Sequence, residues 1–265
     1  MNHINHHKAE AREGWRKSGR RHRAERALER QLAYQERKSR SIRGREDELI
    51  PSMKQASVRV RNILERFQKL DADKPVVEVG SGAHGLIFFF GAKHSVGVDP
   101  LAVSYAKLFP GWQGRVPMVA AFGEALPFAD QTFGVVLCDN VVDHAESPAR
   151  IVAELVRILS PGGLLYFTVN VHHSIYAVAA RAHSAWNALG ISYEIGPFAD
   201  HTTHLTSLGA KRLFANLPLR VLSESSNIAA AKARARKMPP RHVGDRLKRL
   251  FFKNALYEVI ARRET

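Results

Sequence analysis

The sequence predicts an α/β fold, in which a seven-stranded, mostly parallel sheet carries helices on both faces. Short apolar runs rich in β-branched residues alternate with helical patterns from residue 76 onward. Such alternation is typical of a parallel sheet that is covered on both sides. A strand, a glycine-rich loop and a second strand that ends on Asp99 stand at the start of this pattern.

Residues 1–48 are predicted to form a basic extension, helical or disordered, ahead of a folded domain at 49–265. Apolar residues in the extension are too sparse for a buried stripe, although residues 24–30 favour a helix. His3, His6 and His7 are interpreted as part of a polar tail rather than a metal site. From Pro51, apolar residues recur at helical spacing, which predicts a helix over residues 51–67 that packs on the sheet.

The remaining elements follow from apolar runs and the turn residues between them. Helices are predicted at 85–91, 102–108 and 151–159, the last ending at the turn of residues 160–163. The predicted strands are residues 76–79, 95–98, 116–120, 135–138, 164–169, 219–223 and 256–261. A basic insertion at about 229–253 separates the last two strands.

The loop after the first strand has the composition of a nucleotide-type binding site. Gly80, Gly82 and Gly85 stand where the chain must turn tightly and let a ligand approach its backbone. Asp99 closes the second strand, where a carboxylate can accept both hydroxyls of a ribose. Glu78, two residues before the first glycine, is badly placed for a pyrophosphate but well placed for an ammonium group. This favours S-adenosylmethionine, which carries an amino-acid tail.

Two further segments narrow the interpretation. Residues 124–128 read Glu-Ala-Leu-Pro-Phe before the fourth strand, and residues 159–163 read Leu-Ser-Pro-Gly-Gly before the fifth. With the glycine loop and the acidic strand end, these motifs resemble the class I S-adenosylmethionine-dependent methyltransferases. Within them, the chain resembles the branch that includes the ubiquinone and menaquinone biosynthesis enzymes. The resemblance covers residues 76–170 best, and implies a Rossmann-like fold whose sheet ends in an antiparallel hairpin.

The resemblance and the chemistry together assign the cofactor site. Pro100 would form an apolar wall for the adenine, and Glu124 would lie near the adenine ring. The Phe122 position departs from the family's usual Asp or Asn, so either Glu124 and the backbone hold the adenine or the ring is held by stacking. Gly134 also replaces a common Asp. The predicted cofactor-binding residues are Glu78, Gly80, Ser81, Gly82, Asp99, Pro100, Gly123, Glu124, Asp139 and Asn140.

Histidines supply the candidate catalytic and acceptor residues. His144 follows the fourth strand and is either a general base oriented by Asp143 or a structural group. Further histidines follow the fifth strand or lie before the last helix. These histidines could bind a metal, but a role in lining the acceptor pocket is favoured. No metal is therefore predicted. The acceptor-lining residues are His172, His173, His201 and His204.

Charge is concentrated at the two ends of this +15 chain. Residues 1–45 carry 14 Lys and Arg against 5 Asp and Glu, and residues 211–265 carry 14 against 4. Basic ends favour contact with RNA, ribosomes or an anionic membrane surface, or they simply keep a charged protein soluble. The single cysteine, Cys138, excludes an internal disulfide, and no apolar run suits a signal peptide or a membrane-spanning helix. A cytoplasmic protein is expected.

The resulting expectation is a methyltransferase that uses S-adenosylmethionine and acts on a small molecule, a glycan or a lipid intermediate. Methylation of RNA is the alternative reaction, which the basic ends motivate. A third hypothesis is a non-catalytic polyanion-binding protein that retains the fold. The intact glycine loop, with Glu78 and Asp99, argues against the third.

Overall fold

The sheet has seven strands, as predicted, in the order β3-β2-β1-β4-β5-β7-β6. The computed structural model describes residues 26–175, 178, 203–237, 239, 252 and 254–264. The strands are β1 (Val76–Val79), β2 (Ser95–Val98), β3 (Met118–Val119), β4 (Phe133–Asp139), β5 (Leu159–Val171), β6 (Leu219–Ser226) and β7 (Ala255–Arg263). Each predicted strand is present, with ends that differ by a few residues.

Because most strands run in the same direction, their C-terminal ends lie on a single edge of the sheet. Strands β1 to β5 are parallel, whereas β7 is antiparallel to both of its neighbours, β5 and β6. Strand β6 therefore runs in the same direction as β5. The strands β1, β2, β4, β5 and β6 end on one edge, called the carboxyl edge below, and β7 starts there. The implied hairpin at the end of the sheet is confirmed.

Helices cover both faces of the sheet. They are α1 (residues 26–41), α2 (Ile50–Glu65), α3 (Ala102–Leu108), α4 (Pro110–Gln113), α5 (Pro148–Ile158), α6 (Ser207–Arg212) and α7 (Ile228–Lys237). On one face, α2 buries Val60 and Leu64 against Leu137 and Tyr166 of the sheet. On the other face, α5 buries the apolar stripe that includes Leu155. This two-sided burial is the arrangement that the alternating sequence pattern predicts.

Two predicted elements differ from the structure. The helix expected at 85–91 is a single 3-10 turn, Leu86–Phe89, made of bulky residues with modest helix propensity. Gly91, with φ +78°, ends it in the left-handed conformation. The Ser160-Pro161-Gly162-Gly163 segment, expected as a turn, lies inside β5 opposite a register shift in β4 between Phe133 and Val135. A bulge accommodates the tight segment without ending the strand.

The described part of the basic extension is helical and contacts the domain. Ser39 Oγ donates to Leu108 O at the end of α3 (3.0 Å), and Gln35 is buried. The insertion begins with α7, whereas most of residues 238–253 lie outside the described residues. Among the helices that the structure describes, none combines the length and apolar character needed to cross a membrane.

Candidate cofactor and active site

The loop after β1 is tied to the end of β2 by hydrogen bonds. Gly80 and Gly82 adopt left-handed conformations, with φ of +73° and +57°. The Gly82 N–H donates to Asp99 Oδ2 (2.9 Å), and the Leu101 N–H donates to Asp99 Oδ1 (2.8 Å). The Asp99 residue is 8% exposed, and burial raises the pKa of its carboxyl group. Asp99 thus holds the glycine loop in place. Each of its two oxygens still has a lone pair that can accept a hydrogen bond from a ligand.

Gly80 has no space for a side chain. A Cβ atom at this position would lie 2.3 Å from Val141 Cγ2, and Val141 stands at the end of β4. The glycine therefore permits both the left-handed turn and the close approach of the β4 segment to the loop. The sequence identified Gly80 but gave no sign that Val141 was its neighbour.

Glu78 lies beneath the loop, almost fully buried at 1% exposure. Its two carboxyl oxygens accept the N–H groups of Leu86 (3.2 Å) and Ile87 (2.8 Å). Burial is the main cause that raises the pKa of Glu78 to about 8; the charges of Asp139 and Asp99 contribute to the increase, while the two N–H groups oppose it. Glu78 therefore supports the backbone that follows the loop and adds acidic character to the carboxyl edge.

Asp139 extends the acidic character to the end of β4. Its Oδ1 accepts the hydroxyl of Thr168 on β5, while burial raises the pKa of the carboxyl group. Arg59 on α2 lowers this pKa through its charge. Arg59 is itself anchored by the hydroxyl oxygen of Tyr166, which accepts from Arg59 Nη2 at 3.0 Å.

Sequence reasoning missed Arg59 and Thr168. Arg59 lies outside the apolar stripe of its helix, and the stripe alone gives no sign of the partner that Arg59 meets on the sheet. Thr168 and Asn170 did carry a signal, since they are alternate polar residues at the end of an otherwise apolar strand.

Asn140 and Asn170 link the ends of β4 and β5. Asn140 has φ +58°, and its Oδ1 accepts from Asn170 Nδ2 at 2.6 Å. The same Nδ2 lies 3.5 Å from Asp143 Oδ2. Asp143 is fully buried, and its Oδ1 lies 3.8 Å from His144 Nε2, within ion-pair range. The His144 side chain is 44% exposed, so it is open to a ligand while Asp143 stands behind it.

The predicted adenine contacts have other neighbours in the structure. Glu124 Oε1 accepts the N–H groups of Glu146 (3.1 Å) and Ser147 (3.3 Å), just before α5 begins, and so satisfies donors at a helix start. Pro100 is half-buried beside Asp99. Phe122 is 53% exposed, which leaves its ring open for stacking. Of the two alternatives for the adenine, these positions favour stacking.

Gly123 and Gly134 are both explained by packing. A Cβ on Gly123 would lie 3.1 Å from Ile151 Cδ1 of α5. A Cβ on Gly134 would lie 2.7 Å from Lys74 Cβ, close to the start of β4 and remote from the carboxyl edge. Glycine in place of the family's common Asp at position 134 is therefore explained by packing against Lys74 at the start of β4, and it does not alter the site.

Histidines gather on the acceptor side of the carboxyl edge. The His172 and His204 rings lie 5.1 Å apart, and the His173 ring contacts Phe252 edge-on at 5.6 Å. The Thr203 N–H donates to Asp143 O (2.9 Å), which brings this segment beside Asp143. The fourth predicted histidine, His201, lies outside the described residues. Within the residues that can be described, no three His, Cys, Asp or Glu side chains form a group suited to a metal ion.

Comparison with known proteins agrees with this geometry. A family model described as a methyltransferase domain matches residues 77–167. An uncharacterized methyltransferase from Mycobacterium tuberculosis is 36% identical over 77 residues, which are 29% of this chain and 30% of the relative. One from Mycolicibacterium gilvum is 34% identical over 134 residues, covering 49% and 44% respectively. The chain thus matches less than half the length of these relatives.

Solved structures show the same fold at low identity. A Bacillus halodurans protein described as a putative methyltransferase has a TM-score of 0.55 and 16% identity, covering 77% of this chain and 99% of that one. A geranyl diphosphate methyltransferase in complex with S-adenosylmethionine also has a TM-score of 0.55 and 16% identity, covering 79% and 85%. The branch of quinone biosynthesis enzymes stays a prediction. Residues 77–167 thus match a methyltransferase domain, and the chain shares the fold of these solved methyltransferases.

Proposed function

We propose that this protein transfers a methyl group from S-adenosylmethionine to a small molecule, a glycan or a lipid intermediate. The acidic carboxyl edge is the observation that carries the proposal. Glu78 and Asp99 are buried and Asp139 is half-buried around the glycine loop, and burial raises the pKa of each carboxyl group. A cationic ligand relieves this unfavourable burial, whereas the pyrophosphate of a dinucleotide adds negative charge to it.

The residues present fit the cofactor. Bound S-adenosylmethionine supplies a methyl group on a sulfonium that is already a good leaving group, so alignment is the protein's main task. The glycine loop admits a ligand close to its backbone, and Asp99 would accept the ribose hydroxyls. Glu78 and Asp139 would surround the charged amino-acid end. Ser81 Oγ, buried and without a hydrogen-bond partner among the described residues, marks a further polar group under the loop.

On the acceptor side, we propose that His144 takes the proton from a hydroxyl or phenol as it is methylated. The exposed imidazole stands at the end of β4, with the buried Asp143 carboxylate 3.8 Å behind it. The carboxylate would hold the ring orientation and stabilise the imidazolium that forms, because opposite charges 3.8 Å apart attract each other. His172 and His204 would line the pocket beside it.

Replacing Asp99 should weaken cofactor binding strongly. In Asp99→Ala, the Gly82 and Leu101 N–H groups lose their acceptor, and the ribose hydroxyls lose theirs. Affinity for S-adenosylhomocysteine should fall by about 100-fold or more, since bonds to a charged acceptor contribute ~1.5–3 kcal/mol each. Titration calorimetry measures this. Asp99→Asn keeps a carbonyl acceptor and should lose less. Unchanged affinity in a folded Asp99→Ala protein would contradict the assigned role.

Cofactor binding should depend on pH through Glu78. Its pKa of about 8 means that the carboxyl group holds a proton at neutral pH. A bound cation lowers that pKa, so binding releases a proton and affinity rises from about pH 6 to about pH 8. Calorimetry at pH 7 in two buffers of different ionisation enthalpy measures the released proton. Glu78→Gln should abolish that component. If the affinity of the wild-type protein for the cofactor does not change between about pH 6 and about pH 8, cofactor binding is not coupled to the protonation of Glu78.

A further inference from the structure

Helix α7 begins at the carboxyl edge. The last residue of β6, Ser226, pairs with Tyr257, which in turn pairs with Val169 near the end of β5. Asn227 then fixes the start of the helix, because its N–H donates to Leu256 O (3.0 Å) and its Oδ1 accepts the Leu256 N–H (2.7 Å). The helix is therefore anchored on the same edge as the cofactor loop and the histidines.

One side of α7 packs on the domain and the rest carries positive charge. Ile228 and Ala231 contact the apolar core. The helix contains four cations and no acidic residue, and three of them, Arg234, Arg236 and Lys237, are exposed. Within the described part of the chain, these three make no hydrogen bond or ion pair with a carboxylate. Their charge is available to a ligand.

The fourth cation connects the helix to the acceptor side of the site. Lys232 Nζ lies over the Phe252 ring, 5.7 Å from its centroid. Phe252 also meets the His173 ring, and the His173 N–H donates to Phe252 O (3.1 Å). The path from the helix to the predicted acceptor pocket is thus two side-chain contacts long.

Charge is divided along the carboxyl edge in a way that would orient an acceptor. The cofactor end is acidic, with Glu78, Asp99 and Asp139, and it would repel an anion. The α7 end is basic and would attract one. A molecule with an anionic group at one end and a methyl-accepting group at the other fits this division. Guanidinium groups bind phosphate and carboxylate oxygens alike in a bidentate manner. Three exposed cations match the multiple negative charge of a phosphate or diphosphate better than the single charge of a carboxylate.

We propose that α7 is the binding site for a phosphate or diphosphate group on the methyl acceptor. The inference deepens the proposed function and rests on it, since the acceptor is defined only by that reaction. Lys232 positions the helix through Phe252. Arg234 and Lys237, which lie one turn apart on the same side of the helix, contact the anion, and Arg236 adds to the positive field around it. The substrate class is therefore a phosphorylated small molecule or lipid intermediate.

Inorganic pyrophosphate is the probe for this site. Titration calorimetry of the full chain should detect binding that falls by about tenfold or more when Arg234→Gln, Arg236→Gln and Lys237→Gln are combined, because charge-assisted contacts are lost. Hydrogen exchange on wild-type protein should slow in α7 and at His173 when pyrophosphate is added. S-adenosylhomocysteine affinity, measured separately, should be the same in both proteins. A wild-type protein that binds no S-adenosylhomocysteine would count against the proposed function alone.

A control variant removes the same number of positive charges from a different region, helix α1 and the turn that follows it. Arg37→Gln, Arg40→Gln and Arg43→Gln together alter exposed cations in and just after α1, and pyrophosphate affinity should be unchanged. Equal loss in both triple variants, or loss in neither, would overturn the proposal. It would also be overturned if duplex RNA or phosphatidylglycerol vesicles bound through α7 while pyrophosphate did not, since α7 would then contact a macromolecule or membrane.

Discussion

Gly80→Ala is expected to lower the free energy of unfolding by about 2–5 kcal/mol, since a strained left-handed residue and an overpacked site each cost ~1–3 kcal/mol. The φ of +73° disfavours any residue with a Cβ, and the added atom would lie 2.3 Å from Val141 Cγ2. Cofactor binding should be lost as well, because relief of the clash moves the loop. Denaturant unfolding and calorimetric titration measure the two effects.

Two variants distinguish the steric clash with Val141 from the conformational strain at Gly80 as causes of the lost stability. Gly111→Ala lies in α4, where an added Cβ meets nothing within 4 Å, and it should leave stability unchanged or slightly improved. Val141→Ala combined with Gly80→Ala removes the two closest atoms, Cγ1 and Cγ2, and leaves Val141 Cβ at 3.0 Å. The double variant should recover part of the lost stability, while the conformational cost of the positive φ remains. If the single Gly80→Ala variant is as stable as the Gly111→Ala control, the claim that the glycine loop packs closely against the end of β4 is wrong.

His144→Gln should lower the turnover number by about 10²–10⁴-fold, the usual contribution of a positioned general base. Cofactor affinity should change little, because the imidazole stands on the acceptor side of the edge. The measurement is steady-state turnover on the acceptor that a screen of hydroxyl and phenol compounds identifies.

Asp143→Asn is the companion variant. It preserves the shape of a fully buried side chain but removes the negative charge 3.8 Å from His144 Nε2. Turnover should fall while the KM for the acceptor stays near the wild-type value, as expected for a residue that positions and stabilises the base. Full activity in His144→Gln would show that the histidine is structural and that alignment alone drives transfer.

Much of the fold was predictable because local patterns and tertiary structure agree. The strand at Val76–Val79 is apolar, β-branched and followed by glycines, and it lies at the centre of the sheet. The acidic ends of β2 and β4 were found because a carboxylate at the end of an apolar strand is conspicuous. Gly80 and Gly82 were predicted from spacing, and their positive φ values confirm the tight turn.

The parts that escaped prediction depend on neighbours distant in sequence. Arg59 meets Tyr166, 107 positions away, and nothing in its own helix indicates that contact. Glu124 accepts backbone N–H groups at the start of α5, which its own neighbours in the sequence do not indicate, while its contact with the adenine stays a prediction. The position of α7 beside the histidines depends on β7 pairing between β5 and β6, a topology that strand patterns alone do not specify.

Ranking of ligands by calorimetry tests the central claim, that an acidic carboxyl edge selects a cationic adenosyl cofactor. S-adenosylmethionine and S-adenosylhomocysteine should bind in the micromolar range. The analogue 5′-methylthioadenosine, which lacks the amino-acid end, should bind at least about tenfold more weakly, and NAD should not bind. Equal affinity for 5′-methylthioadenosine, or tight binding of NAD, would contradict the claim, because the first ligand lacks the ammonium group and the second places a pyrophosphate near the acidic edge.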